Sequence, residues 1–234
     1  MRLLAIETSG ARGGIALVED GHVVATRALD ENMRHARDLV PAMDSACKQA
    51  GWDPRAVDVV AVSIGPGSFT GVRIAVVTAK TIAWDTGAKV VAAPSLRALA
   101  HNAPADAGRI ACILDAKRGG LFASVFERRG AEALWLDGLE ETFGPAVIEP
   151  EDLARRLQKP ALVLGHGLPK AQAALAGFEL SPAPLWDIRI EETARLGWEM
   201  AQRGEFADPL RLQPVYIRLP EAQEIWERRH GQQA

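Results

Sequence analysis

The stretch Gly65-Pro-Gly-Ser-Phe-Thr-Gly-Val-Arg-Ile-Ala75 joins a β-branched apolar run, 57–64, to a helix-like run. Glycine permits close backbone approach, and a helix N-terminus carries orphan N–H groups and partial positive charge, so this turn suits a phosphate. Ser68 and Thr70 both suit the N-cap position. The stretch lacks the Gly-Lys-Ser/Thr ending of the nucleotide P-loop, and any strand-to-helix turn favours glycine and a cap. A phosphate cradle and a plain capped turn both fit these residues.

Two carboxylates stand at strand ends, Glu7 after Leu3-Leu-Ala-Ile6 and Asp115 after Ile110-Ala-Cys-Ile-Leu114. Facing each other across a cleft, they would suit a divalent metal with nucleotide phosphates, which takes oxygen ligands. Glu7, Thr8, Ser9 and Asp115 are therefore the candidates for cofactor contact. The preferred alternative is that both carboxylates order strand-end turns. No histidine pair has the one-turn spacing of a metal centre, since His35 is followed four residues later by Leu39. His166, between two glycines, is read as structural or exposed. With no Gly-x-Ser-x-Gly elbow and no cysteine motif, no catalytic or metal residue is assigned.

The elements that must position these residues follow from periodicity. Gly14–Glu19, Asp20-Gly21 and His22–Arg27 form a hairpin signal, because Asp-Gly fits a two-residue type I′ turn. A helix is expected from about Asp38, with Leu39, Val40, Met43, Cys47 and Ala50 on one stripe and Pro41 in the first turn. In the helix from Thr70 to Trp84, Val72, Ala75, Val76, Ala79 and Ala83 make one apolar face and Ile74, Val77, Thr81 and Trp84 a second. A helix apolar on two sides must be covered on both, by this chain or by another. A strand at 89–93 and a short helix from Pro94-Ser95 follow.

From Arg109 the pattern repeats: a strand ending in an acid, a Gly-Gly, a second strand, then Ala161–Leu164, Gly165-His166-Gly167 and a helix-like 168–176. The echo predicts an α/β fold of two duplicated β-β-β-α-β-α lobes with mixed sheets, over 1–105 and 106–210, with an extension at 211–234. Within the second lobe, 135–147 reads as loop or edge strand, 151–157 as a short helix and Glu191–Arg203 as an amphipathic helix. Pro214–Arg218 reads as extended and 220–229 as a terminal helix.

Composition sets bounds on these readings. The 234 residues are 48% hydrophobic with a net charge of −3, which offers no electrostatic basis for strong autonomous nucleic-acid binding. The cluster Arg228-Arg229-His230 reads as a solvated tail. Cys47 and Cys112 lie far apart in apolar contexts, as reduced core thiols do, and neither a signal peptide nor a membrane span is visible, so a cytoplasmic protein is expected.

Two such lobes resemble the actin-like (ribonuclease H-like) ATPase superfamily. More specifically, Leu4-Ala-Ile-Glu-Thr-Ser9, Arg34-His35-Ala-Arg-Asp-Leu-Val-Pro41, the Gly65–Ile74 stretch, Leu114-Asp-Ala-Lys-Arg-Gly-Gly120 and Pro214-Val-Tyr-Ile-Arg218 resemble, in order, the bacterial TsaB (YeaZ) family. The resemblance implies a non-catalytic scaffold subunit that works with the paralogous TsaD and the ATPase TsaE. Their product is N6-threonylcarbamoyladenosine at position 37 of tRNAs reading codons that begin with A. It also implies a homodimer in isolation, tRNA met only through the complex, and ATP or ADP only at the junction with TsaD. The docking residues it implies are His35, Leu39 and Met43 of the first helix. Before and along the second they are Gly67, Ser68, Phe69, Thr70, Arg73, Ile74, Val76, Val77, Lys80 and Trp84. Glu7 departs from the family's usual Asp, and Gly120-Leu121-Phe122 from its usual Gly-Glu-Val-Tyr. An actin-like small-molecule kinase and a metallopeptidase are the alternatives.

Overall fold

The structure, a computed structural model, describes residues 1–29, 35–129 and 137–218. The first sheet contains β1 (Arg2–Glu7), β2 (Gly14–Glu19), β3 (His22–Ala28), β4 (Val59–Ser63) and β5 (Lys89–Ala93), in the order β3-β2-β1-β4-β5. The second contains β6 (Arg109–Asp115), β7 (Leu121–Arg128), β8 (Leu139–Ile148), β9 (Leu162–Leu164) and β10 (Glu179–Leu180), in the order β10-β9-β6-β7-β8. Counted from each lobe's first strand, the two orders are the same. In each, the first three strands are antiparallel and the last two join in parallel, so the duplicated lobe is a fact of topology.

Local chemistry explains the elements. Asp20 and Gly21 both have positive φ, at 50° and 85°, as the β2–β3 hairpin turn requires. β1 and β4 are apolar almost throughout because both faces of their sheet are covered. Leu4, Ile6, Val60 and Val62 face α1 (His35–Ala50) and α2 (Phe69–Thr86). Leu3, Ala5, Val59 and Ala61 lie on the opposite face with Ala194 and Ala201 of α6 (Ile190–Gln202). That face is built of small residues so that α6 comes close; a Cβ on Gly197 would collide with the Ala61 side chain.

The lobes exchange helices. α3 (Ser95–Ala100) follows β5 but packs Leu96 and Leu99 among Ile110, Cys112 and Leu114 of the second sheet, while α6 follows β10 but covers the first. The division at 105 and 210 therefore separates segments of sequence, not packing units. Cys47 and Cys112 are buried free thiols in different core clusters.

Several boundaries differ from expectation. α1 begins at His35, so Pro41 sits past the first turn; it is tolerated on the exposed side, without one of the helical hydrogen bonds. Val40 lies off the Leu39 stripe, because adjacent helix positions are turned by about 100°, and it is 61% exposed. β8 is a full edge strand, mostly exposed, whose pairing with β7 is broken by register shifts. The helix expected at 168–176 is only α5 (Leu168–Ala171), continued by turns, whereas α4 (Pro150–Arg156) forms as read. The expected helix at 220–229, the basic tail and Trp135 lie outside the described residues.

Residues 207–218 form a strap rather than a strand. The Ala207 N–H donates to the Val90 carbonyl, the Lys80 ammonium to the carbonyls of Leu210 and Leu212, and the Val215 N–H to the Ile64 carbonyl. Arg218 then reaches the second lobe, donating to the carbonyls of Ala116 and Lys117 at 2.9 and 3.0 Å.

Candidate functional site

At the start of α2, Ser68 is the cap, its Oγ accepting from the Gly71 N–H at 3.2 Å, and Thr70 lies exposed within the helix. The space before the cap is filled by the chain itself. The Ser68 N–H donates to the Ser9 carbonyl at 2.6 Å, and the Thr8 hydroxyl donates to the Gly71 carbonyl at 2.7 Å. A Cβ on Gly67 would strike the Ser9 carbonyl, and one on Gly71 the Thr8 carbonyl. These glycines admit a strand-end turn, not a ligand. This packing favours the plain capped turn: the Thr8 hydroxyl and the Ser9 carbonyl hold the start of α2, while the Ser9 hydroxyl and N–H are given to Glu7.

Glu7 is buried. Its Oε1 accepts from the Ser9 N–H at 2.6 Å and the Ser9 hydroxyl at 2.5 Å, and its Oε2 accepts from Thr193 of α6 at 3.1 Å. Burial pushes its carboxyl above the usual range, and hydrogen bonds from Ser9, Ser63 and Thr193 oppose that rise without cancelling it. Asp115 sits differently. Partial burial pushes its carboxyl up, but the Lys170 ammonium at 2.7 Å and the Lys117 N–H at 2.8 Å outweigh this and hold it below the ordinary value. The Asp115 N–H donates to His166 Nδ1 at 3.3 Å, so His166 is structural, and burial lowers its pKa. Glu7 and Asp115 are thus each engaged in a separate set of hydrogen bonds, Glu7 with Ser9 and Thr193 and Asp115 with Lys117 and Lys170. Among the described residues, no group of three or more His, Cys, Asp and Glu is placed to hold a metal ion.

A pH dependence follows from Glu7. The folded chain keeps this proton to higher pH than the unfolded chain, so Glu7's contribution to stability falls as pH rises from about 4, the unfolded value, through its folded pKa. Glu7→Gln, which does not titrate, is expected to gain stability relative to wild type across that window. Urea midpoints of both proteins over a pH series check this; a constant difference would refute it.

α2 presents three faces. Val72, Ala75, Val76, Ala79 and Ala83 are buried on the sheet. A flank carrying Phe69, Arg73 and Lys80 is held by the strap: Arg73 Nε donates to the Tyr216 hydroxyl at 2.6 Å, and its guanidinium lies 3.7 Å from the Phe69 ring centre. The remaining face carries Thr70, Val77, Thr81 and Trp84. Val77 is 62% and Trp84 87% exposed, an unusual position for large apolar side chains on an otherwise sunken helix.

Comparison with known proteins places this geometry. A family model described as "TsaD: tRNA N6-adenosine threonylcarbamoyltransferase" matches residues 29–181. The tRNA threonylcarbamoyladenosine biosynthesis protein TsaB of Bacillus subtilis (strain 168) is 32% identical, over 97% of this chain and 98% of its own length. The chain belongs to the TsaB family. The TsaB of Escherichia coli (strain K12) is 27% identical over 93% of this chain and 95% of its own. The structure of YeaZ from Pseudomonas aeruginosa superposes with a TM-score of 0.77 at 25% identity, covering 92% of this chain and 99% of that one. The family is named for biosynthesis of threonylcarbamoyladenosine in tRNA, and the actin-like fold expected from the lobe echo is the one found.

Placed on this TsaB-family structure, the thirteen implied docking residues separate. Leu39 and Val76 are in the core, at 1% and 3% exposure, and are corrected from interface to packing. Gly67 and Ser68 belong to the turn, and Met43 and Ile74 are partly buried against the first core. Phe69, Arg73 and Lys80 are engaged by the strap. Thr70, Val77 and Trp84 remain open; the side chain of His35 lies outside the described residues. Val40, turned away from the Leu39 stripe, is open as well. The departures from family pattern also find places: Leu121 and Phe122 are buried in β7, and the Glu7 carboxylate reaches Thr193 of the exchanged helix. Among the described residues, no helix is long and apolar enough to cross a membrane.

Proposed function

We propose that this chain is a non-catalytic, activating subunit of the assembly that places threonylcarbamoyl on N6 of adenosine 37 in tRNA. It works in the cytoplasm, docking a TsaD-type paralogue, in concert with a TsaE-type ATPase, through the open face of α2. Alone, the same face pairs two copies of the chain. The observation that carries this reading is the exposure of Val77 and Trp84 on a helix whose other sides are buried or strapped. A non-catalytic role is supported by the state of the lobe junction: the turn before α2 is filled by Thr8 and Ser9, Glu7 is sealed, and Asp115 is held by lysines. Nucleotide then belongs at the junction with the partner, not in this chain.

Reconstitution tests the proposal. Purified chain, TsaD-type and TsaE-type proteins, threonylcarbamoyl-AMP, ATP and an unmodified tRNA transcript are expected to yield modified adenosine only when this chain is present. Modification by the chain alone, or equal modification without it, overturns the proposal.

A further inference from the structure

Glu7 ties together elements that the helix exchange brings from far apart in the chain. The Ser9 N–H and hydroxyl occupy its Oε1, at 2.6 and 2.5 Å, and Thr193 of α6 reaches Oε2 at 3.1 Å. The Ser63 hydroxyl, at the end of β4, is also hydrogen-bonded to the carboxyl. Ser63 Oγ in turn lies 2.7 Å from the hydroxyl of Ser95, the first residue of α3, and Ser95 Oγ accepts from the Gly65 N–H at 3.1 Å. One carboxyl thus heads a polar chain that runs from the exchanged helix α6, through β1 and β4, to the exchanged helix α3. Glu7, Ser9, Ser63, Ser95 and Thr193 are all buried.

α6 meets β1 and β4 largely through Ala194, Gly197 and Ala201, small residues that each bury little apolar area. The polar joint therefore carries a larger share of what keeps this helix in place, and it responds to charge. An ionised carboxylate prefers water, which it gains when α6 moves aside, whereas a protonated one stays buried and donates to the Thr193 oxygen. Both Ser9 donors point at Oε1, so the proton belongs on Oε2, facing α6. Charges on the surrounding elements are engaged elsewhere. Glu192 of α6 pairs with Arg189 at 2.6 Å, and Arg12, between β1 and β2, with Asp187 at 3.5 Å. His101, after α3, is held neutral by burial, with Arg97, Arg128 and Arg195 of α6 adding to the effect, and its pKa falls to about 3. β4 and the first turn of α2 carry no charge, and β2 only Glu19, at the far end of the ladder.

We propose that Glu7 is a proton-operated latch: protonated, it holds α6 on the first sheet and so clamps the two lobes together, and loss of the proton favours local release of α6. The Oε2–H bond breaks, the proton passes to solvent, and the released helix leaves the carboxylate open to water. The device acts within the chain and does not depend on the partner proposed above. Burial sets its window, because the closed chain keeps this proton to higher pH than the released one. Release therefore grows as pH rises from about 4, the hydrated value, through the closed-state pKa.

Amide hydrogen exchange of the full chain, read by mass spectrometry on peptides from α6 and from β7 over a pH series, tests the latch. β7, inside the second sheet, reports opening of the whole chain. Protection of α6, corrected for the intrinsic exchange rate, is compared between wild type and Glu7→Gln at each pH; Glu192, His101 and Asp187 titrate in both proteins and cancel in the ratio. The ratio of wild-type to variant protection is expected to fall by up to about tenfold per pH unit within the window and then level off. Throughout, α6 is expected to be roughly tenfold or more less protected than β7. A ratio that does not change with pH overturns the proposal, and so does equal protection of α6 and β7, which would mean that α6 leaves only when the whole chain unfolds. Should Glu7→Gln not fold, Thr193→Val carries the test, since it removes the α6 end of the joint while keeping the side-chain shape. It is expected to cost α6 roughly tenfold in protection, and protection equal to wild type overturns the latch.

Discussion

Val77→Glu is expected to leave the chain folded and to break its association with the TsaD-type partner and with itself. Val77 is 62% exposed, so the new carboxylate remains hydrated in the free protein. Docking would bury it without a partner, at about 3 to 5 kcal/mol, or roughly two to four orders of magnitude in Kd. Trp84→Ala should also weaken docking, since exposed aromatic anchors carry a large share of interface energy. Val76→Glu, one residue earlier, is a different experiment. Val76 is 3% exposed within the first core, and a charge there lowers stability instead of probing an interface. Size-exclusion chromatography with light scattering, with and without the partner, reads association, and circular dichroism reads the fold. A folded Val77→Glu chain that assembles like wild type would remove α2 as the docking element.

Gly71→Ala is expected to destabilise the chain by about 3 kcal/mol or more, because the added Cβ overlaps the Thr8 carbonyl and backbone has no alternative rotamer. Relief requires moving the start of α2, which stretches the hydrogen bonds from Thr8 to Gly71 and from Ser68 to Ser9. For a chain of this size the midpoint should fall by roughly 6 to 12 °C. Gly108→Ala is the control. Nothing lies within 4 Å of a Cβ there and its φ is unexceptional, so a near-neutral effect is expected. Thermal and urea midpoints of both variants decide the matter; equal stabilities would show that the turn is not held by this contact.

Both experiments probe one helix whose two apolar faces are visible in the sequence. Helical periodicity separates Val72, Ala75, Val76, Ala79 and Ala83 from Val77 and Trp84, and burial follows that separation. Periodicity also reveals the duplicated lobe, since each strand run and acidic strand end recurs in order and the two sheets share one strand order. These features are legible because they depend on spacing of about 2 or 3.6 residues and on local turn chemistry.

Tertiary structure decided the rest, because contact between distant segments leaves no period. Nothing in Thr8 or Ser9 announces that their carbonyls fill the turn before α2, which turns a plausible phosphate cradle into a packing joint. The helix exchange that brings Thr193 to Glu7 joins residues 186 positions apart. The strap joins Arg73 to Tyr216 across 143. From the sequence alone come the fold class, the family resemblance and a helix with a spare apolar face. Which atoms fill the turn before α2, and which of the implied docking residues remain open to a partner, depended on packing at van der Waals distance, which composition and spacing do not encode.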